Sequence, residues 1–311
     1  MSWAAWAMKK SDEGYHAPVL LQDCVDGLAI RPDGIYVDVT FGGGGHSRAI
    51  LERLGPSGSL IAFDRDRDAW VNAPDDPRFT LVRSDFRWVL NHLRFLGKLP
   101  IDGLLGDLGV SSHQFDTGER GFSFRFDGPL DMRMDHRAKR TAADLVNGLD
   151  ERALAELLGR YGEVQGAFRV AKQLVKARSE RRIATTTDLV EALRPVTRRG
   201  EEHSFLAQVF QALRIEVNDE LGSLQRLLRL SAELIRPGGR LVIMSYHSLE
   251  DRLVKNWMRT GDLDGNEEKD VFGRSQRPFR PTHSKAIQPS VHEIATNPRA
   301  RSARLRIAER Q

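Results

Sequence analysis

Four short runs of apolar residues alternate with segments that have the spacing of amphipathic helices, and this alternation restricts the fold more than any other feature of the chain. The runs are Ile35 to Phe41, Leu60 to Phe63, Ile101 to Leu105 and Leu241 to Tyr246. Each is too rich in apolar residues to be a strand with one face in water, so we predict parallel strands that are buried on both faces. Strands and helices that alternate in this way predict an α/β fold with a doubly wound sheet.

Two further segments have strand patterns. Phe79 to Val82 is short and apolar, and Ala303 to Ala308 alternates apolar and polar residues. The first predicts another strand of the same sheet, and the second predicts an antiparallel strand at its edge.

About 130 residues between the third and fourth runs contain no comparable strand, which is far more than one crossover needs. Apolar residues there recur at helical spacing, as in Leu154, Leu157, Leu158 and Tyr161. Asp188 followed by Glu191 resembles a capping box. From Leu206 to Leu228 the spacing predicts one or two long helices. We therefore predict a flexible arm at 1–15, a sheet domain at 16–130 and 218–311, and an inserted helical domain for substrate recognition at 131–217.

Composition excludes several classes of protein. A single cysteine, Cys24, rules out an internal disulfide framework, and the nine histidines are scattered, so no metal site is predicted. No apolar run is long enough to span a membrane. These features predict a soluble, cytoplasmic protein.

The positive charge is clustered. The net charge is only +4, but the stretch 297–311 contains five arginines and one glutamate. Such a cluster is either a solvated face or a surface for nucleic acid.

The first apolar run leads directly into Gly42, Gly43, Gly44 and Gly45, which precede a helical pattern. Glycines at a strand-to-helix turn let a ligand lie against the backbone at the carboxyl end of a sheet. The dinucleotide fingerprint fails, because its third glycine would fall on Ser47 or Arg48. A looser glycine loop with an acid in the same strand, Asp38, favours S-adenosylmethionine.

Acidic residues follow the next two strands. Asp64 lies 20 residues beyond Gly44, where a carboxylate can accept hydrogen bonds from ribose hydroxyls. Asp85 and Phe86 could hold adenine, the acid by accepting from the amine and the ring by packing on the base. The alternative is a plain flexible turn with solvent-exposed acids at the strand ends.

Eight stretches together resemble the RsmH (MraW) family. They are HAPVLL (16–21), DVTFGGGGHS (38–47), DLGVSSHQ (107–114), RGFSF (120–124), GPLDMRMD (128–135), QALRIEVNDEL (211–221), SYHSLEDR (245–252) and NPRARS (297–302). The resemblance implies a class I, Rossmann-like methyltransferase sheet with an inserted helical domain. It also implies S-adenosylmethionine-dependent methylation of the N4 amine of a cytidine in bacterial small-subunit (16S) ribosomal RNA, in the decoding region.

Carried over by motif, the cofactor contacts would be Gly44, Gly45, His46, Asp64, Phe86, Asp107 and Gln114. Two positions depart from the family pattern. His113 stands where proline is more frequent, and Gly43 stands where arginine is frequent.

The implied chemistry needs an acceptor near the target amine, because the lone pair of cytosine N4 is delocalised into the ring. Other amino-methyltransferases have an Asp/Asn-Pro-Pro-Tyr/Phe motif after the fourth strand, where this chain has Asp107-Leu-Gly-Val. We therefore predict that Asp107 lies at the site of methyl transfer and that the stacking ring comes from elsewhere, first from Tyr246 and next from Phe122 or Phe124. His247 could meet the base O2 or a phosphate, or could support another residue. Ser248 is interpreted as a helix N-cap.

Cationic and aromatic residues alternate after the Asp107 motif, as expected of a surface for an unstacked nucleotide, although loop phenylalanines are also often buried. The predicted RNA contacts are Arg120, Phe122, Phe124, Arg133, Arg299 and Arg301. The predicted partner is 16S ribosomal RNA in the small subunit, with no membrane and no DNA, and a homodimer stays open.

Two other functions remain open on the sequence. One is a methyltransferase that acts on DNA or on a small-molecule amine. The other is a non-catalytic assembly factor that binds ribosomal RNA and uses the cofactor pocket only for stability.

Overall fold

The structure is a computed structural model that describes residues 18–267 and 277–311. The predicted arm at 1–15 lies outside these residues. The chain forms two compact units. One comprises the described residues up to Gly109 and those from Leu221 onward, and the other is Val110–Glu220.

Seven strands of the described chain form one sheet in the order β3-β2-β1-β4-β5-β7-β6. They are β1 (Ile35–Asp38), β2 (Ser59–Phe63), β3 (Phe79–Val82), β4 (Ile101–Asp107), β5 (Ile235–Ser245), β6 (Phe279–Pro281) and β7 (Arg304–Arg310). Strands β1 to β5 pair in parallel, and β7 is antiparallel to both of its neighbours. The predicted α/β class and the class I methyltransferase sheet are confirmed.

The antiparallel strand predicted near the carboxyl terminus is present, but it does not lie at the edge. Strand β6 pairs outside it, with Phe279 opposite Arg310. Strand β6 leaves little sign in the amino-acid pattern, because the strand has only three residues and ends in Pro281. A proline cannot donate to a ladder and is therefore confined largely to edge strands.

The α-helices follow in chain order. They are α1 (Leu21–Gly27), α2 (Gly45–Arg53), α3 (Val89–Phe95), α4 (Ser112–Asp116), α5 (Ala142–Gly148), α6 (Glu151–Gly162), α7 (Ala167–Glu180), α8 (Thr186–Leu193), α9 (Glu202–Asn218), α10 (Glu220–Leu234), α11 (Ser248–Thr260) and α12 (Val291–Thr296). None of the helices in residues 18–267 and 277–311 is both long and apolar enough to cross a membrane.

Both faces of the sheet are buried, as the dense apolar runs predict. Alternate residues of one strand point to opposite faces, so Leu104 joins one apolar core while Leu105 joins the other. Val242 and Ile243 divide in the same way. These two cores hold the strand ends in register.

The second unit has its own core, and it starts earlier than the predicted boundary at 131. Phe122, Leu130 and Met132 pack with Leu145 and Leu213 in one apolar cluster. Residues 110–130 therefore belong to this unit, because their apolar side chains are buried within it. Substrate recognition by this unit stays a prediction.

Two helix boundaries in the second unit refine the sequence analysis. The capping box at α8 is formed by Thr185 and Asp188, whose side chains each accept a hydrogen bond from the other's backbone N–H at 3.0 Å. The predicted capping box of Asp188 and Glu191 is therefore wrong, because the helix begins one turn earlier, at the N-cap Thr185. The long apolar series forms two helices, and the break falls at Asp219, which has a φ of 46°.

Candidate active site

Acidic side chains lie at the carboxyl ends of three adjacent strands. Asp38 is the last residue of β1, Asp107 is the last residue of β4, and Asp64 follows β2 directly. The strand order places β1 between β2 and β4, so these carboxylates lie side by side where the carboxyl ends of the strands meet. The ends of parallel strands are where open α/β sheets bind their ligands.

The glycine loop beside them is an ordered turn. Gly42 and Gly44 have φ values of 53° and 75°, which glycine adopts without strain. Gly44 donates its N–H to the carbonyl of Phe41 at 2.8 Å, and a Cβ at Gly45 would lie 2.2 Å from the Pro18 Cγ atom. The predicted backbone cradle is therefore formed, with α2 starting at Gly45.

Asp64 is fixed against this loop. Its Oδ2 atom accepts the N–H of Gly42, and its Oδ1 atom accepts the N–H of Asp66, both at 2.8 Å. Burial raises the pKa of Asp64 to about 6, and these two backbone donors oppose the rise. Each carboxylate oxygen keeps a second lone pair, so the group can still accept from two hydroxyls.

Asp38 joins β1 to the start of α2. Its Oδ2 atom accepts from the Ser47 hydroxyl at 2.7 Å, and its Oδ1 atom accepts from the Thr40 N–H at 3.0 Å. Only 1% of Asp38 is exposed, and burial raises the pKa of its carboxyl group. Within the protein, this side chain holds the glycine loop in place.

Asp107 lies at the centre of a polar network. Its Oδ1 atom accepts from the Tyr246 hydroxyl at 2.9 Å, and its Oδ2 atom is 3.8 Å from the Nδ1 atom of His46. The backbone N–H of Asp107 donates to the Thr40 hydroxyl oxygen at 2.6 Å. Burial raises the pKa of Asp107 to about 6, while His46 and Tyr246 lower it. The carboxylate is therefore placed to accept further hydrogen bonds near neutral pH.

Both His46 and Tyr246 are held by other groups. The Nε2 atom of His46 lies 3.2 Å from the Val19 carbonyl oxygen, which can only accept, so this nitrogen is the donor. The backbone N–H of Tyr246 donates to the Glu250 Oε2 atom at 3.0 Å. Burial and the nearby Asp107 raise the pKa of the Tyr246 phenol. The structure thus shows Tyr246 as a hydrogen-bond donor to Asp107, and its role as the stacking ring stays a prediction.

His247 follows Tyr246 and is the N-cap residue of α11. The helix has no side-chain cap and begins at Ser248, so the interpretation of Ser248 as the N-cap is wrong. The His247 side chain is 9% exposed, and its Nε2 atom lies 3.3 Å from the Glu250 Oε1 atom.

Asp85 and Phe86 follow β3 at the same edge of the sheet. Arg65 donates to the Asp85 Oδ2 atom at 2.8 Å, and the N–H of Arg87 donates to the Oδ1 atom at 2.8 Å. An adenine amine would therefore share this acid with two arginines, and the predicted adenine contact stays a prediction. Phe86 packs against one of the sheet cores.

Gln114, the remaining predicted cofactor contact, lies in the second unit. It is buried, and its Oε1 atom accepts the Ser111 N–H at 3.1 Å. The Ser111 hydroxyl accepts the Gln114 N–H in return, which completes a capping box at α4. His113 lies within this first turn, so the local helix forms despite the departure from proline.

The predicted RNA contacts in the second unit are mostly engaged within it. Arg120 and Phe122 are buried, at 6% and 4% exposure, and the Arg120 guanidinium lies over the Phe122 ring. The ring of Phe124 packs edge-on against Phe210, and Arg133 binds Asp131 through two nitrogens. Arg120 and Phe122 therefore do not form the expected open surface, because both belong to the unit's interior.

In the basic stretch at the carboxyl terminus, some arginines form ion pairs within the protein and others are exposed. Arg306 in β7 binds Asp251 of α11 through two nitrogens, at 2.7 and 3.0 Å. Arg299 and Arg301 lie on the 3₁₀ turn Pro298–Ser302, and Arg301 is exposed. Of the two predicted contacts here, Arg301 is the more accessible.

One exposed cationic face was missed by the sequence analysis. Arg169, Lys172 and Lys176 are exposed on α7 and recur at helical spacing, and the Phe168 ring beside them is 61% exposed. The signal was available in the sequence, because these cations occupy the positions before, between and after the buried residues Val170 and Leu174.

The sheet order and the acidic strand ends define a class I methyltransferase. The family model that matches residues 13–311 is the MraW methylase family, and the chain belongs to this family. The suspected resemblance is thereby confirmed.

Relatives of known name match over almost the whole chain. The chain is 56% identical over 304 residues to "Ribosomal RNA small subunit methyltransferase H" of Parabacteroides distasonis, covering 97% of this chain and 100% of the relative. A protein of the same name from Cytophaga hutchinsonii is 55% identical over 299 residues, with 96% and 100% covered. Among solved structures, a putative rRNA methylase from Clostridium thermocellum has a TM-score of 0.45 at 13% identity, covering 95% of this chain and 100% of that chain.

S-adenosylmethionine is the methyl donor of this enzyme, and the residues present fit it. The pKa values of Asp38, Asp64 and Asp107 are all raised by burial, so a cationic ligand would stabilise their ionised forms. The donor carries a positive sulfonium and ribose hydroxyls that need acceptors. The carboxylates and the glycine turn therefore complement its charge and its hydroxyls.

Proposed function

We propose that this protein methylates the N4 amine of a cytidine in small-subunit ribosomal RNA, in the decoding region. The observation that carries the proposal is the Asp107 carboxylate at the end of β4, with Tyr246 donating to one of its oxygens. The names of the relatives support the ribosomal RNA substrate. In the reaction, a bond forms from N4 to the methyl carbon, the carbon–sulfur bond breaks, and one N4 proton is lost.

Asp107 would accept a hydrogen bond from the target amine. This contact draws the N4 lone pair out of the ring and orients it for attack. Tyr246 occupies one oxygen, so the other oxygen, Oδ2, is the one that faces the amine. The sulfonium supplies an activated methyl group, and positioning by the protein can therefore provide most of the acceleration.

The cofactor contacts carried over from the family fall into two groups. Gly44, Gly45, His46, Asp64 and Phe86 lie in the sheet unit at or beside the strand ends, and Gln114 lies in the second unit. Asp64 would accept from the ribose hydroxyls, and the glycine turn would lie against the methionine part of the donor. Asp38 would affect donor binding indirectly, by holding the glycine loop through Thr40 and Ser47.

The RNA would be bound by exposed cations of both units. Arg301 and the cationic face of α7 are accessible to phosphate, and the inserted unit would bind the backbone of the RNA. The assembled small subunit is the natural form of this RNA, and the family resemblance supports it as the partner. No DNA substrate is proposed.

The test is transfer of radiolabelled methyl groups to undermethylated small subunits, to free ribosomal RNA and to DNA. We expect label in ribosomal RNA, recovered as N4-methylcytidine after digestion to nucleosides. Asp107→Asn should abolish most of it, whereas the exposed Asp26→Asn should not. Label in DNA alone would contradict the proposal, as would donor binding with no transfer to any substrate, the result expected of a non-catalytic assembly factor.

A further inference from the structure

The imidazole of His247 is buried without partners for its ring nitrogens. Neither Nδ1 nor Nε2 has a hydrogen-bond partner within the described ranges 18–267 and 277–311. The Glu250 Oε1 atom is close to Nε2, at 3.3 Å, but the contact does not have hydrogen-bond geometry. A buried polar group without a partner is unfavourable, so it usually marks a position where a ligand completes the contact.

His247 is connected to the acceptor of the proposed reaction through Glu250 and Tyr246. Glu250, which is 2% exposed, accepts the backbone N–H of Tyr246 through its Oε2 atom and faces His247 through Oε1. Tyr246 in turn donates to Asp107. The negative charge of Glu250 is also among the causes that raise the pKa of Asp107. One buried glutamate therefore links the backbone of Tyr246 to the ring of His247.

We propose that a ring N–H of His247 donates to N3 of the target cytosine and so selects cytosine over uracil. This inference rests on the proposed function, because it assumes that N4 of a cytosine lies at Asp107. In cytosine, N3 is an acceptor next to the carbon that carries N4, so a donor near Asp107 can reach it. Uracil carries a hydrogen on N3 and an oxygen in place of the amine, and both contacts would then be repulsive.

Glu250 fits this role as a positioning residue. Its Oε1 atom lies 3.3 Å from the Nε2 atom and so limits the orientations that the ring can take. The donor to the base would be the N–H at Nδ1, the nitrogen that does not face Glu250, while Asp107 presents an acceptor. Together they read the two neighbouring positions that distinguish cytosine from uracil.

The experiment compares two substrates, with and without N3 at the target base, for the wild-type enzyme and for variants at His247. Small subunits are reconstituted with ribosomal RNA that carries either cytidine or 3-deazacytidine, which has C–H in place of N3, at the target position. The readout is the ratio of kcat/KM for cytidine to that for 3-deazacytidine. The intrinsic change in amine reactivity is the same for every enzyme variant and cancels when these ratios are compared.

We expect this ratio to be about 10- to 100-fold larger for the wild-type enzyme than for His247→Phe, which cannot donate. His247→Asn keeps an N–H donor and should give an intermediate ratio. The exposed His283→Phe is the matched control and should give the wild-type ratio. Equal ratios for the wild type and His247→Phe would overturn the inference.

Two measurements keep this outcome separate from other failures. Thermal unfolding and calorimetric titration with S-adenosylhomocysteine show whether each variant folds and keeps its donor site. If His247→Phe does not fold, the comparison of His247→Asn with the wild type decides. The inference would then be overturned if the wild type methylated both RNAs at equal rates and a folded His247→Asn enzyme gave the same ratio as the wild type. Failure of the wild type to methylate the natural cytidine would instead contradict the proposed function.

Discussion

The Tyr246 hydroxyl donates to the Asp107 Oδ1 atom at 2.9 Å, across a sequence separation of 139 residues. The two residues come from the ends of β5 and β4, which are neighbours in the sheet. This bond fixes the orientation of the carboxylate and leaves Oδ2 toward His46.

Replacing Tyr246 by phenylalanine removes this donor and keeps the ring. We expect kcat to fall about 10-fold, because a hydrogen bond to a charged group is lost. The pKa of Asp107 should also rise, since the Tyr246 hydrogen bond lowers it. Stopped-time methylation assays across pH measure both effects. Tyr161→Phe, in the second unit, is the control, and a Tyr246→Phe enzyme with the wild-type pH profile would contradict the assigned contact.

The raised pKa values of Asp64 and Asp107, both about 6, predict a pH dependence of activity. The ionised carboxylates are the acceptors, so the rate should increase as the pH rises from 5 to 7. Asp107→Asn should remove the rise of kcat with pH. Asp64→Asn should remove the change with pH in KM for the donor. A rate independent of pH over this range would be inconsistent with the assignment.

The raised pKa values of Asp64 and Asp107 also make the stability of the folded state depend on pH in a definite direction. Both pKa values lie above those of an unfolded chain, about 3.9. The folded state therefore binds more protons than the unfolded state between about pH 4 and 6, and this contribution to stability is lost as the pH rises through that window.

Arg306 is expected to stabilise the sheet. It binds Asp251 through two nitrogens, and the two side chains are only 15% and 11% exposed. Arg306→Ala leaves a mostly buried carboxylate with one of its partners removed, so the free energy of unfolding should fall by about 2 to 4 kcal/mol in urea titrations. The exposed pair of Arg152 and Glu156 is the control, and Arg152→Ala should change it by less than about 0.5 kcal/mol. Equal effects of the two substitutions would refute the prediction.

The cationic face of α7 should contribute to RNA binding. Replacing Lys172 and Lys176 together by alanine should weaken binding to small-subunit RNA several-fold and reduce the dependence of affinity on salt, because fewer counterions are released. Filter binding at several salt concentrations gives both quantities. The pair Lys255→Ala and Lys285→Ala changes the net charge equally, so a similar loss for both pairs would show a general charge effect rather than this surface.

The sheet could be predicted from the sequence because its strands are buried on both faces, and burial leaves a dense apolar signal. The run at Phe79 became β3 with the predicted bounds, and the acids of the neighbouring strands lie at one edge as expected. Strand β6 has no such signal, since it is held by its pairing with β7 rather than by composition.

The partners of the site residues could not be predicted in the same way. Whether Phe122 faces solvent or the core depends on packing with residues far along the chain, such as Leu213. The arginines on Asp85 and the phenol on Asp107 are likewise set by tertiary structure. A motif thus indicates which residue types meet, while the fold decides which atoms they contact.

The cluster of Asp38, Asp64 and Asp107 has a final consequence for turnover. Methyl transfer converts a charged sulfonium into a neutral thioether, so the spent donor no longer offers the positive charge that these carboxylates attract. We therefore expect the spent donor to bind less tightly than fresh donor, which favours its replacement after each turnover.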